Sequence, residues 1–268
     1  MKNFRNLTAL VTGASSGIGL AITRRLLKQQ TRVIAVGRRK ENLEAIRDDQ
    51  NSRYLKTVAA DLSDEAGMQK LLEVIGSNQS EESVDILVNN AGAGFIGEFG
   101  AAEWSTYSRM IQLNVAAVTR LTHYVVDQMK DQGRGGILNI SSMAGWTPVP
   151  GFAVYAATRT YITSFSIALH QELKSRGIHV TAVHPGPTRT NFYEAAGVDE
   201  VRGSKYMLDP DFVAGAALEG LIKNKMRVLP GLRSKLLFAA NSISPFKISV
   251  PVSGRAIYKR TKKLKNER

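Results

Sequence analysis

The chain has 268 residues, which is enough for one large α/β domain with a well-buried core. It has no cysteine, so disulfides, thiolate metal ligands and thiolate catalysis are excluded. Its formal net charge is +13, and residues 221–268 carry +12 of it, from thirteen Lys or Arg and one Glu, so the remainder of the chain is nearly neutral.

Apolar runs in the sequence are short. None reaches the ~18 residues that a transmembrane helix requires, and the N-terminal residues lead directly into a predicted strand. We therefore expect neither a membrane span nor a signal peptide, and this composition fits a cytoplasmic protein. We predict no metal site.

The first predicted elements are a strand at Leu7–Val11 and a helix over residues 20–29, joined by a glycine-rich turn. Gly13 permits a tight turn, Gly17 lets the backbone approach a ligand, and Gly19 lets the helix pack closely on the sheet. The N-terminus of such a helix attracts anions. The turn therefore predicts a site for the pyrophosphate of a dinucleotide.

The second predicted strand, Arg32–Val36, ends in Gly37, Arg38 and Arg39. A site that prefers NAD would place a carboxylate at this strand end, to bind the ribose 2′-hydroxyl. Here a glycine occupies that place, and two arginines follow that are suited to grip a 2′-phosphate. The pattern favours NADP(H) over NAD(H).

The third predicted strand ends at Val58–Ala60 and is followed by Asp61, which is suited to cap the helix that begins near Ser63. The next strand, Val84–Val88, is continuously apolar, as is typical of a central parallel strand. It leads into the turn Asn-Asn-Ala-Gly at residues 89–92. A strand that ends in this way places the turn at the carboxyl edge of the sheet.

A long helical region is predicted from Trp104 to beyond Asn114. An asparagine in the middle of a helix lowers helix propensity, because its side chain competes for backbone hydrogen bonds. We therefore expect a kink with a bound water at Asn114.

Ser142 follows the apolar strand Ile137–Ile140, and Tyr155 and Arg159 are four residues apart on the next predicted helix. That spacing places the phenol and the cation one turn apart on the same face. A phenol has an ordinary pKa near 10, and a cation within ~4–6 Å can lower it by ~1–3 units. The three side chains predict an acid/base site.

The helix that carries Tyr155 is predicted to end near Arg176, with Gly177 as its C-cap, and residues 178–183 form the next strand. His184 follows this strand and is a weak candidate for a general base. Residues 191–208 are polar and broken by glycine, and they carry Phe192, Tyr193 and Tyr206. This segment predicts a substrate lid with an apolar inner surface.

A helix is predicted to begin at Asp209-Pro210, and a last strand at Met226–Leu229. Five features of the sequence resemble, in order and spacing, the pattern of the short-chain dehydrogenase/reductase family. They are the glycine-rich turn at residues 12–19, the Asn-Asn-Ala-Gly turn at 89–92, Asn114, the pair Ser142 and Tyr155, and Pro185-Gly186. The resemblance runs from about residue 6 to about residue 230. It implies an α/β, doubly wound Rossmann fold, with a central parallel sheet of about seven strands flanked by helices on both faces.

The resemblance implies hydride transfer between a nicotinamide and the carbonyl or alcohol of a small-molecule substrate. In the family, the tyrosine exchanges the proton, the serine orients the carbonyl oxygen and the asparagine holds a water. The family motif is Tyr-x-x-x-Lys, and here Arg159 stands in the place of the lysine. An arginine keeps the charge but can neither reproduce the contacts of an ammonium nor relay a proton, so we expect attenuated or adapted activity. The residues predicted to be catalytic are Asn114, Ser142, Tyr155 and Arg159.

The expected cofactor is NADP(H), and the family also implies a homodimer or homotetramer built through its long helices. Asp61 would contact the adenine, and Thr188 and Thr190 the nicotinamide amide and pyrophosphate. The residues predicted to bind the cofactor are Gly13, Ser15, Ser16, Gly17, Ile18, Gly19, Arg38, Arg39, Asp61, Leu62, Asn90, Ala91, Gly92, Tyr155, Arg159, Pro185, Gly186, Thr188 and Thr190.

We divide the chain into a catalytic domain at 1–231, with a lid at 188–208, and a basic amphipathic C-terminal extension at 232–268. Such an extension is suited either to a solvated surface or to contact with an anionic membrane. No nucleic-acid module is present, so no nucleic acid is expected. The alternative function is a catalytically idle NADP(H)-binding protein that the basic tail recruits to a membrane surface.

Overall fold

A parallel sheet lies at the centre of the computed structural model, which describes residues 1–47, 52–76, 83–197 and 207–255. Its strands in chain order are β1 (Thr8–Thr12), β2 (Arg32–Gly37), β3 (Leu55–Ala59), β4 (Ile86–Asn89), β5 (Gly135–Ile140), β6 (Ile178–Val183) and β7 (Arg227–Val228). Across the sheet the order is β3-β2-β1-β4-β5-β6-β7, with every pair parallel.

The direction in which the chain adds strands reverses beside β1. The second and third strands lie on one side of β1, and β4 to β7 lie on the other. In open parallel sheets a crevice forms at such a point, outside the carboxyl ends of the strands. The predicted site segments follow directly after β1, β4, β5 and β6, so the topology brings them to this crevice.

Helices connect the strands and cover the sheet. They are α1 (Gly17–Lys28), α2 (Lys40–Glu44), α3 (Glu65–Gly76), α4 (Trp104–Ile111), α5 (Ala117–Gln132), α6 (Ala153–Lys174), α7 (Phe192–Ala195), α8 (Pro210–Ile222) and α9 (Leu232–Ile243). A π turn at Gln112–Ala116 joins α4 to α5, and a further helix covers 246–255.

Side chains of each central strand alternate between two buried layers. Val11 packs in one layer with Leu26 of α1 and Leu218 of α8. Its neighbour Leu10 packs in the other layer, which includes Leu121 of α5. Both faces of the sheet are therefore covered by helices, and the predicted doubly wound Rossmann fold with about seven strands is confirmed.

Two local expectations differ from the structure. The helix predicted to run past Asn114 is interrupted by the π turn, which contains this residue. Asp61 does not cap α3, because its carboxylate binds Ser63 and Arg109, and Asp64 instead accepts a hydrogen bond from the Gly67 amide at 2.7 Å.

The first part of the C-terminal extension packs on the domain. Phe238 of α9 meets Trp146 with ring centroids 4.8 Å apart, and the Ser253 hydroxyl donates to the Pro148 carbonyl at 3.1 Å. Among the described residues, no helix combines the length and the apolar character needed to cross a bilayer.

Candidate active site

A cleft of about 670 Å³ opens at the carboxyl ends of the central strands. Most of the residues predicted from sequence line it. They are Gly13, Ser16, Gly17, Ile18, Arg38, Arg39, Asn90, Ala91, Gly92, Ser142, Tyr155, Arg159, Pro185, Gly186, Thr188 and Thr190. The predicted residues outside the lining are Ser15, Gly19, Asp61, Leu62 and Asn114.

The glycine-rich turn has a backbone that only glycine adopts readily. Gly13 and Gly17 have φ of +64° and +54°, in the left-handed region. A Cβ on Gly19 would lie 2.3 Å from the Gly13 carbonyl oxygen, so any side chain there would push α1 away from the turn. The Gly17 backbone also meets the Thr190 side chain across the cleft, where a Cβ would lie 2.7 Å from the methyl group.

Thr12, at the end of β1, was not among the predicted site residues and proves to fix two loops. Its hydroxyl accepts hydrogen bonds from the amides of Asn90 (2.9 Å) and Ala91 (3.0 Å) and donates to Val88. The Asn90 side-chain amide donates to the Thr12 and Gly13 carbonyls. A hydroxyl directly before a glycine-rich turn is the signal by which the sequence reveals this role.

The end of β2 presents cations to the cleft. Arg38 and Arg39 are exposed and line it, and Gly37 is buried against Ser15. Beside them, Asp61 binds the Arg109 guanidinium at 2.5 Å. Partial burial opposes its ionisation, but hydrogen bonds from Ser63 and the charges of Arg109 and Arg38 hold the pKa of Asp61 below its ordinary value. In this structure the carboxylate is thus turned to protein partners.

Ser142 lies two residues beyond β5. Its hydroxyl oxygen accepts a hydrogen bond from the Ala144 amide at 3.1 Å. Since that contact uses a lone pair, the hydroxyl proton stays available for donation into the cleft. The backbone is held as well, because the Met143 amide donates to the Pro185 carbonyl at 3.1 Å.

The Tyr155 ring lies between two other aromatic rings. It stacks on Phe152 with centroids 4.2 Å apart and meets Phe192 of α7 at 5.2 Å. Tyr155 is only 7% exposed although it lines the cleft. Apolar rings on both sides fix the direction of the phenol and keep water from its flanks.

Arg159 is only 5% exposed, and its guanidinium contacts other groups of the protein. Nη1 donates to the Ile140 carbonyl at 2.9 Å, and Cζ lies 5.0 Å from the centroid of the Tyr155 ring. Nε is buried and has no hydrogen-bond partner among the described residues, and Nη2 lies 2.2 Å from the position that a Cβ of Gly92 would take. The cation therefore contacts the face of the phenol ring and the end of β5 together.

Asn114 has no exposed surface, and protein groups use its amide. Nδ2 donates to the Ala93 carbonyl and to the Thr158 hydroxyl, and Oδ1 accepts from the Ala93 amide, at 2.9–3.0 Å. The π turn aims this side chain between the loop after β4 and helix α6. Asn114 is thus placed to position the helix that carries Tyr155.

His184 is buried and does not line the cleft. Its Nδ1 lies 3.3 Å from the Ser142 carbonyl oxygen, and its ring packs against Trp146. Burial lowers the pKa of His184 to about 4, the hydrogen bond to Ser142 opposes this, and the nearby charge of Arg227 adds to it. A buried neutral imidazole behind the serine loop is not placed to act as a general base on a substrate.

An apolar wall of the cleft packs around the Tyr155 ring. It was anticipated from sequence only for Phe192 and Tyr193 of the lid, and Tyr206 lies outside the described residues. The other wall residues come from separate loops and helices, which no short pattern connects, and they are Ile96, Met110, Val149 and Phe152. Two polar residues of the extension, Asn241 and Ser253, also line the cleft.

The arrangement combines a phenol, a second hydroxyl, a cation and a helix N-terminus in one crevice. Known proteins share this pattern of sequence and fold. The family model for short chain dehydrogenases matches residues 7–200. A probable NADP-dependent dehydrogenase from Haemophilus influenzae is 32% identical over 254 residues, which cover 90% of this chain and 98% of that protein.

A second relative and a solved structure agree with this. The NADP-dependent 3-hydroxy acid dehydrogenase YdfG from Salmonella typhi is 32% identical over 207 residues, which cover 75% of this chain and 81% of that protein. A short-chain dehydrogenase from Sphingobium yanoikuyae, solved in complex with NADPH, has a TM-score of 0.78 and 31% identity and covers 88% of this chain and 93% of that chain. The chain therefore belongs to the short-chain dehydrogenase family.

Proposed function

We propose that this chain is an NADP(H)-dependent oxidoreductase that transfers a hydride between the nicotinamide and the carbonyl or alcohol of an apolar small molecule. One observation carries the proposal: a single cleft is lined both by Arg38 and Arg39 and by Ser142 and Tyr155. The NADP-dependent relatives and the NADPH-bound neighbour support the choice of cofactor.

The residues present fit a dinucleotide with a 2′-phosphate. The left-handed glycines bring backbone close to the cleft at the N-terminus of α1, which favours a pyrophosphate. Gly37 supplies no carboxylate to repel a phosphate, while Arg38 and Arg39 supply positive charge. Bound here, the cofactor would donate or accept the hydride.

The chain itself would orient the carbonyl and supply its proton. Ser142 donates its hydroxyl proton to the substrate oxygen, because its own oxygen is occupied by the Ala144 amide. Tyr155 donates its phenolic proton to the oxygen as negative charge develops there. A positioned general acid typically contributes ~10²–10⁴-fold to a rate. The apolar wall favours a substrate with an apolar body beside its carbonyl.

Arg159 would limit this activity. Its guanidinium is bound to the Ile140 carbonyl and lies over the Tyr155 ring, and it cannot lose a proton to relay one. A lysine would leave a smaller ammonium in this space. The same contacts favour a second candidate, the catalytically idle NADP(H)-binding protein, in which the arginine serves only to hold the fold.

The test compares the native chain with Arg159→Lys. Titration calorimetry measures the affinities for NADPH and NADH, and the loss of NADPH is followed with a panel of apolar ketones. We expect both proteins to prefer NADPH, and the lysine variant to turn over faster by about tenfold or more, since a misplacement of ~1 Å can cost ~100-fold in rate. Binding without turnover in both proteins would favour the idle binder, and failure to bind NADPH would contradict both candidates.

A further inference from the structure

The helices after residue 231 turn apolar side chains to solvent. Twelve large hydrophobic side chains are exposed among the described residues, and seven of them lie between 232 and 252. We call these seven the apolar face: Leu232, Leu236, Leu237, Ile243, Phe246, Ile248 and Val252, with exposures from 47% to 86%. Clustering of this kind marks an interaction surface rather than chance exposure.

Helix α9 is amphipathic, but its apolar side faces outward. Exposed residues recur four, seven and eleven positions after the first, which is the spacing of one helical stripe: Leu232, Leu236, Ala239 and Ile243. On the inner side, Ser234 is 5% exposed and Asn241 lines the cleft. The helix therefore contacts the domain through Ser234, Phe238 and Asn241 and leaves the stripe of Leu232, Leu236, Ala239 and Ile243 exposed.

The helix at 246–255 repeats this arrangement. Phe246, Ile248 and Val252 are 59–64% exposed, whereas Ser249 is buried. Ser253 also points inward, since its hydroxyl donates to the Pro148 carbonyl. Two successive helices thus expose apolar side chains while their serines contact the protein.

The segment that carries the apolar face is basic in sequence. Arg233 and Lys235 flank the stripe of α9, and Lys247 and Arg255 lie on the next helix. The described residues 232–255 contain no Asp or Glu. In the sequence, residues 256–268 continue the trend with six Lys or Arg and one Glu.

We propose that the apolar face docks on an anionic lipid bilayer surface. Apolar side chains would enter the interfacial region while the flanking cations attract acidic headgroups. A second copy of this chain fits less well, because like faces would bring cation against cation and residues 232–255 supply no Asp or Glu to such a contact. Since no described helix is able to span a bilayer, the contact is peripheral.

The cleft lies on the inner side of these helices, where Asn241 and Ser253 line it, at one helix diameter (~10–12 Å) from the docked face. Delivery of an apolar substrate from the bilayer would use this short distance and rests on the proposed function. The docking itself does not depend on the proposed function. A loss of vesicle binding and a loss of ketone turnover would therefore contradict different proposals.

The experiment measures cosedimentation of the full chain with two kinds of vesicle, phosphatidylcholine alone and phosphatidylcholine mixed with phosphatidylserine. We expect binding to the mixed vesicles that weakens as salt is added, and little binding to the neutral ones. Equal binding to both, or binding to neither, would overturn the proposal. Gel filtration of the same samples shows whether the face pairs with a second copy, and a dimer that the apolar variant below abolishes would also overturn it.

Two variants assign the contact to this face. Leu236→Ser/Ile243→Ser/Phe246→Ser should weaken binding to the mixed vesicles by more than about tenfold, as lost apolar burial requires. Phe212→Ser, which changes an exposed apolar residue on α8, is its control and should bind as the native chain does.

The second variant, Lys235→Glu/Lys247→Glu, tests the charges and stays informative if the first fails to fold. Its control, Lys56→Glu/Lys174→Glu, changes net charge equally at exposed positions elsewhere. We expect the first pair to reduce binding by at least about tenfold more than the control pair. If either face variant binds the mixed vesicles as the native chain does, the apolar face is not the contact. The same conclusion would follow if a face variant and its control lose equal affinity for these vesicles.

Discussion

At the scale of single residues, protein groups hold the cation beside Tyr155. Arg159 is bound to the Ile140 carbonyl and lies over the phenol ring, and Nη2 occupies the space in front of Gly92. A Cβ at position 92 would lie 2.2 Å from that nitrogen. Gly92 of the Asn-Asn-Ala-Gly turn therefore lines the cleft and also leaves the space that the Arg159 guanidinium occupies.

His184 makes stability depend on pH. Burial lowers its pKa to about 4 from an ordinary 6.5, so the unfolded chain takes up this proton at a higher pH than the native chain does. The neutral His184 therefore contributes its full share of the unfolding free energy above about pH 6.5, and this contribution is lost as the pH falls toward 4. Between about pH 7.5 and 5.5, urea denaturation should show a loss for the native chain that is about 1 kcal/mol greater than for His184→Gln. Identical losses in both proteins would contradict this account, and acidic groups common to both cancel in the comparison.

Asp61 shows which residue roles the sequence predicts poorly. Its place after β3 agreed with both proposed roles, an adenine contact and a helix cap. The structure pairs its carboxylate with Arg109, which lies 48 positions later in the chain, and not with the N-terminus of α3, while the adenine contact stays a prediction. Local patterns predict turns and caps, because those contacts span three or four residues, whereas an ion pair across the cleft depends on the tertiary fold.

At the scale of elements, Asn114 joins three parts of the site. Asn114→Ala would remove three hydrogen bonds and leave the Ala93 backbone groups unpaired, so we expect a loss of about 2–4 kcal/mol in unfolding free energy. Gln112→Ala, at an exposed position of the same π turn, is the matched control and should cost less than about 0.5 kcal/mol. Urea denaturation measures both, and equal small losses would show that the Asn114 contacts do not hold the helix.

The strands could be predicted well and the helix details less well. Largely apolar runs of four to six residues identified the central strands, because strands buried on both faces need apolar residues along most of their length. A break in the helix at Asn114 is expected from its low helix propensity, but its form as a π turn is not, since that form arises where Asn114 reaches Ala93 and Thr158. The outward direction of the stripe on α9 also escaped prediction, because periodicity shows that a helix is two-sided but not which side meets the protein.

At the scale of the whole molecule, aromatic contacts join the extension to the domain. The Arg227 guanidinium lies 4.7 Å from the Phe238 ring centroid, and Phe238 packs on Trp146. Phe238→Ala should lower the unfolding free energy by about 1–2 kcal/mol through loss of these contacts. Leu236→Ala, on the exposed side of the same helix, should change it by less than about 0.5 kcal/mol. Thermal denaturation of both variants provides the measurement, and equal effects would contradict the packing role of Phe238.

Family membership also predicts a homodimer or homotetramer. Such an assembly has to leave the apolar face exposed if that face is to dock on lipid. The apolar face is separate from the long helices α4 to α6 through which the family resemblance expects assembly. Docking on lipid and assembly would thus use different surfaces, and each stays a prediction until measured.

The most direct test of the central claim replaces Tyr155 and measures NADPH consumption with an apolar ketone. Tyr155→Phe keeps the ring contacts with Phe152 and Phe192 and removes only the phenolic oxygen. We expect turnover to fall by about 10²–10⁴-fold with NADPH binding unchanged. The control is Tyr161→Phe, because Tyr161 lies on the same helix and its hydroxyl forms a hydrogen bond with Thr119 outside the cleft. This variant should retain native turnover. A Tyr155→Phe protein that consumes NADPH at the native rate would contradict the assignment of Tyr155 as the general acid.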